Sequence, residues 1–218
     1  MAYMQPNQSI VNSGGAGSPG YYAWQANPAP HPLTIGTEMP LYWGASNGRQ
    51  VKRVPRLREF TPSQQSFPGI LFSVNGWGGV SVTDILNRQT VVDYPTDMVF
   101  AHHGWRATTL ALNWPGYIPN RSSDASRRRF STYMNGNIPM TRQGFAKVIA
   151  ELIQDLYHCA KDKPVARGWE DWGFSENKVD PSKVFILSAH YYRNVWVPEL
   201  YVDGIPMMLS GGLLSPTT

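Results

Sequence analysis

The stretch that most limits how this chain can fold is "MTRQGFAKVIAELIQDLYHCAK", residues 140–161. Phe145, Val148, Ile149, Leu152, Ile153, Leu156 and Tyr157 recur there at spacings of three and four, the stripe of an amphipathic helix. Thr141 stands where an N-cap hydroxyl is wanted, Lys161 and Lys163 suit the C-terminal end of the helix dipole, and Pro164 ends the run. A stripe of that width must be covered. The rest of the chain offers short runs of strand character, cut up by 20 glycines and 18 prolines. Helix and strands do not alternate as regular βαβ units, so the expected class is α+β. We expect a mixed or antiparallel sheet packed on one main amphipathic helix, with a flexible N-terminal tail.

The strand candidates are specific. "PLTIGT" and "PLYWGA" open the folded part, and "PGILFSVNGW" (68–77) is a continuous apolar run closed by Asn75 and Gly76. "VSVTDILNR" reads as a strand end that Thr83 caps into a short helix. In "WRATTLALNW" (105–114), Leu110, Leu112 and Trp114 share one face of a half-buried strand. "PGYIPNRSSDASRRRF" then reads as loop, and "DPSKVFILSAHYYRNVWVPELYV" as turn, strand, turn, strand.

Residues 1–37 contain no Asp, Glu, Lys or Arg and carry aromatics at Tyr3, Tyr21, Tyr22 and Trp24. Such a composition buries too little surface to offset chain entropy, so 1–32 is expected to be a flexible tail and 33–218 one domain. Uncharged tracts with spaced aromatics also adhere to one another, which marks Tyr21, Tyr22 and Trp24 as candidate self-association anchors. Nowhere do about eighteen apolar residues run together, and the N-terminus has no basic and apolar pattern of a secretory signal. With one cysteine there is no intramolecular disulfide. The cytoplasm or nucleus is the expected location, with no membrane span.

No motif specifies a reaction. In "AHHGW", His102 and His103 are neighbours and project differently, and neither has a ligand partner at a metal-binding spacing. One histidine near the core and one exposed is the simpler reading. A hydrolase would need His102 or His103 to converge with His190 and a carboxylate. Cys159 lies in the last helical turn, where the dipole opposes a thiolate. Glu151, Asp155 and His158 share a helix face that reads as solvated. "GWGG" lacks the spacing of a phosphate loop. No catalytic residue, cofactor or metal is therefore expected.

The basic clusters carry more. Arg49, Lys52, Arg53, Arg56 and Arg58 form one, and Arg121, Arg127, Arg128 and Arg129 the other, with aromatic residues near both. Such segments grip phosphates and stack bases, or meet acidic protein surfaces. Partners are expected to be a second copy of the chain or another protein, with nucleic acid as the alternative.

Val80, Val82, Asp84 and Leu86 in "VSVTDIL", then "WPGY" at Trp114–Tyr117, then Thr141 and Arg142 at the helix start, carry a resemblance. Over roughly 69–157 the chain resembles an uncharacterised family of basidiomycete fungal proteins with a low-complexity leader. The resemblance implies a eukaryotic intracellular protein that works as a non-catalytic module, and it transfers no catalytic residue.

Overall fold

Short apolar runs bury themselves by lying side by side, and the computed structural model, which describes residues 3–4, 51–56, 66–67, 69–117, 126–134 and 137–204, assembles them into one main sheet. In chain order the elements are β1 (Tyr3–Met4), β2 (Val51–Arg53), β3 (Gly69–Leu71), β4 (Ser73–Val74), β5 (Trp77–Gly78) and β6 (Val80–Ser81). There follow α1 (Val82–Leu86), β7 (Ala107–Ala111), β8 (Arg127–Ser131), β9 (Tyr133–Met134), β10 (Ile138–Pro139) and α2 (Arg142–Ala160). The last two are β11 (Val184–Tyr192) and β12 (Val195–Asp203). The protein is α+β.

The sheet runs β1-β3-β11-β12-β7-β8, with β6 also on β11 and β2 also on β12. The β12–β7 pairing is parallel and the others are antiparallel, so the sheet is mixed. β4–β5 and β9–β10 are separate two-stranded pairs. The central strands are β11 and β12, joined through Arg193 and Asn194, both at positive φ as a tight hairpin turn demands. All nine residues of β11 are buried.

α2 covers one face of this sheet. Thr141 accepts the Gly144 amide at 3.1 Å, the expected N-cap. Phe145, Ile149 and Ile153 are wholly excluded from solvent. Phe145 sits at the hub of an aromatic set, its ring centroid 4.9 Å from Phe100, 5.5 Å from Phe130 and 5.6 Å from Trp196. The "WPGY" segment is part of this core. Trp114 stacks on Phe174 at 4.5 Å and donates to the Trp172 carbonyl, while a Cβ on Gly116 would fall 2.5 Å from Val165.

Three expectations need correction, and one strand pairing falls within the expected tail. The cap of α1 is Ser81, whose hydroxyl accepts the Asp84 amide at 3.3 Å; Thr83 is already inside the helix, which starts earlier because Val82 is drawn into the core. "PGILFSVNGW" is not one strand. Phe72 breaks it, its amide donating to the Leu187 carbonyl at 2.9 Å while β4 turns away to pair with β5. "RRRF" is not loop but the edge strand β8, with Phe130 and Arg128 turned to the helix side. Within the expected free tail, Tyr3–Met4 pairs with β3 at Ile70 and Gly69. The remainder of 1–32, with "PLTIGT" and "PLYWGA", lies outside the described residues.

β11 is kinked by one residue. Its register against β12 shifts between Ile186 and Ser188. Before the shift Val184 and Ile186 face the helix; after it Ala189 and Tyr191 do. The bulge at Leu187 therefore sends Ser188, His190 and Tyr192 to the opposite face of the sheet.

Candidate functional site

Two polar assemblies stand out, one on each side of the sheet. The first is a cleft of about 370 Å³ at the start of α2, lined by Leu71, Ser73, Asn75, Gly76, Asp93, Tyr94 and Arg142. The tight turn at Asn75 (φ 52°) and Gly76 (φ 79°) aims two amides at Asp93, which accepts them at 2.8 and 2.9 Å and the Ser73 hydroxyl at 2.7 Å. Asp93 is thus fixed with its charge spent on three donors. Arg142, 3% exposed, reaches from the helix to the sheet, donating to the Leu71 carbonyl at 2.6 Å and to Asp97 Oδ2 at 3.0 Å. Its Nε is buried and meets no acceptor among the described residues.

The same helical turn fastens the loop in front of the cleft. Gln143 accepts the Val92 amide at 2.9 Å, and the amides of Arg142 and Gln143 donate to Asp97 and Pro95. What this loop presents is apolar. Tyr94 (65% exposed, φ 52°), Val91 (60%) and Met98 (49%) stand out from it, and Met98 bridges to Thr141. Ile138 and Tyr133 project from the adjoining β9–β10 hairpin. These five are the exposed large hydrophobic residues among those described, and all belong to segments tied to the first turn of α2. An aromatic residue held at positive φ is strained, and such strain is tolerated where the surroundings hold it in place.

The second assembly is buried on the face away from α2. Ser188 Oγ lies 2.8 Å from His190 Nε2, and Glu199 Oε2 lies 3.4 Å from the same nitrogen. Glu199 Oε1 is 2.9 Å from Arg53 and accepts from the Tyr201 hydroxyl. Gly69 makes room for the imidazole, since a Cβ there would stand 2.7 Å from its Cε1 and Nδ1. Burial pushes the His190 pKa below its ordinary value, with Glu199 opposing. Burial and the neighbouring Arg53 bring Arg56 down to about 10, and burial raises the Tyr192 phenol.

This cluster has the residue types of a hydrolytic relay but not its geometry. A relay needs the nucleophile on one imidazole nitrogen and the carboxylate on the other. Here both converge on Nε2, and Ser188 has no exposed surface. His102 and His103 do not join it. His102 is exposed, and His103 packs at 4.8 Å from Phe67 and 4.5 Å from Trp105 on the helix side of the sheet. Burial, then His102, lowers the His103 pKa.

The basic segments separate. Arg53 and Arg56 are interior, and Lys52 is half-buried. Arg127 and Arg129 are exposed on the outer side of β8, while Arg128 turns back to pair with Asp155 and Glu151 of α2. That pairing gives the acidic helix stripe a cation of its own, and no metal-binding group occurs among the described residues. Arg49, Arg58, Arg121, Tyr21, Tyr22 and Trp24 lie outside those residues. The cleft was not foreseen. Its only trace in the sequence was the Thr141–Arg142 pair, whose two members prove to be the cap and the strut of one turn.

Cys159 is exposed near the end of α2. No helix among the described residues is long and apolar enough to cross a membrane. No family model, curated protein or solved structure matches this chain.

Proposed function

We propose that this chain is a non-catalytic protein-interaction module that self-associates through the surface at the start of α2. The observation that carries the reading is the exposure of Val91, Tyr94 and Met98 on the loop that the first turn of α2 fastens, with Tyr94 itself lining a cleft floored by a fixed arginine. Clustered exposed apolar side chains around a polar-floored cleft are the usual build of a protein-binding surface. The occupant we assign is the uncharged leader of a second copy. Tyr21, Tyr22 and Trp24 supply contact area at little entropic cost, and residues 1–37 bring no charge that must be desolvated. Membership of the basidiomycete family that the sequence resembles and a location in the cytoplasm or nucleus are part of this proposal.

Light scattering after size exclusion tests this. The wild type should gain mass with concentration, and both Tyr94→Ser with Met98→Ser and the triple change of Tyr21, Tyr22 and Trp24 to Ser should return it to one chain. A wild type of single-chain mass at every concentration refutes self-association. A rim variant that still assembles refutes the assigned surface.

A second reading, nucleic-acid binding, is favoured by Arg127 and Arg129, which share the outward side of the edge strand β8. Reversing those two to Glu, sparing the structural Arg128, should weaken binding of labelled RNA at low salt irrespective of sequence. Unaltered mobility of the RNA with wild-type protein retires the reading.

A further inference from the structure

We propose that the cavity between Arg53, Arg56 and His190 is a specific site for one monatomic anion of the size of chloride. The proposal is independent of the interaction surface, which lies on the other side of the sheet. The cavity measures about 20 Å³ and is lined by Arg53, Arg56, Glu199, His190 and Tyr192 together with apolar atoms of Val54, Val197 and Pro198. That volume holds one water-sized atom. So small a space favours a single atom over a tetrahedral oxyanion.

Charge decides between an ion and a water. Two guanidiniums border the cavity, against one carboxylate among the described residues. Glu199 Oε1 is 2.9 Å from Arg53, and no carboxylate among the described residues pairs with Arg56. Arg56 is 9% exposed, and its Nε and Nη2 are buried without an acceptor among the described residues. An uncompensated buried charge is far more costly than an unfilled hydrogen bond, because its loss of hydration is not repaid. A water would accept from Arg56 but bring no countercharge; a halide does both. The neutral His190 and the protonated Tyr192 add no further charge to the lining. The walls from Val54, Val197 and Pro198 suit a weakly hydrated ion over a strongly hydrated one. Glu199 engages Arg53 and the Tyr201 hydroxyl through Oε1 and holds Oε2 3.4 Å from His190 Nε2, and the two guanidiniums still leave the lining positive.

The test uses the full chain in sodium chloride, bromide, sulfate or gluconate at equal ionic strength. Chloride and bromide should raise the unfolding midpoint saturably, the folding equilibrium gaining about 100-fold at a halide concentration one hundred times its dissociation constant. Sulfate and gluconate should show no saturable component, only the gradual trend of excluded salts. Arg56→Met should abolish the halide dependence while Arg127→Gln retains it. Should Arg56→Met fail to fold, crystals of the wild type grown in bromide decide by anomalous scattering. One bromide beside Arg56 supports the site, whereas a water alone there overturns it. A halide effect that rises without saturation, as the general stabilisation by excluded sulfate does, also overturns it.

Discussion

Arg142 and Asp97 form a pair whose halves are sunk to different depths, the guanidinium 4% exposed and the carboxylate 29%. Removing one partner of a buried pair is costly in proportion to how completely the survivor is cut off from water. Asp97→Ala strands the guanidinium, a change worth about 3–5 kcal/mol. Asp93 lines the same cleft, so the lower end, about 3 kcal/mol, is expected. Arg142→Met keeps most of the buried stem and leaves a carboxylate that can hydrate. Its cost is the donor lost by the Leu71 carbonyl, about 1–3 kcal/mol. The smaller residue at the surface therefore does more damage than the larger one in the core. The double variant, with no guanidinium left to strand, should be more stable than Asp97→Ala alone. Urea unfolding followed by tryptophan fluorescence measures all three, and a melting temperature about 6–12 °C below wild type is expected for Asp97→Ala. If Arg142→Met is the worse single variant, or the double is the least stable, the charge-burial reasoning fails and the arginine acts through its stem alone.

Leu152, 1% exposed on the buried face of α2, should cost about 2–5 kcal/mol as Ala by calorimetry, and an unchanged midpoint would contradict its burial. Gly69→Ala should cost about 1–3 kcal/mol because its Cβ meets the His190 ring at 2.7 Å, and adding His190→Ala should recover part of that loss in chemical denaturation. His190 and His103 both have pKa values held below their ordinary 6.5 by burial, so below that pH the unfolded chain binds more protons than the folded one. Stability should thus be full above about pH 6.5 and fall as the pH drops beneath it, with His190→Asn flattening the slope; a midpoint that rises on acidification would show the opposite linkage.

The long helix was readable because its stripe depends on local spacing, and every position named in it but Val148 is buried against the sheet. The hairpin of β11 and β12 was readable because "YYRNVW" places turn residues between two apolar runs. The bulge at Leu187 was not, since nine consecutive buried residues show no alternation for a slip to disturb. "RRRF" concealed a strand because Arg128 faces inward only on account of Glu151 and Asp155, which a different element supplies. Arg53 counted as surface charge for the same reason, its partner Glu199 being remote in the chain. The cleft depends on Arg142 and Gln143 grasping the Thr90–Asp97 loop through hydrogen bonds that no local pattern encodes.

The two strands at the middle of the sheet are the last of the described chain to be made. β2, β3, β6 and β7 all pair with β11 or β12, yet each leaves the ribosome long before Val184 does. At about 5–20 residues per second, the edges of β3 and β6 wait roughly 5–20 s for their neighbour. During that interval the nascent molecule is a row of open strand edges around a helix whose apolar stripe has nothing to cover it, a state prone to mispairing. Lys52 and Arg53 on β2 and Arg127 and Arg129 on β8 put on those strands the charged side chains that disfavour edge-to-edge pairing.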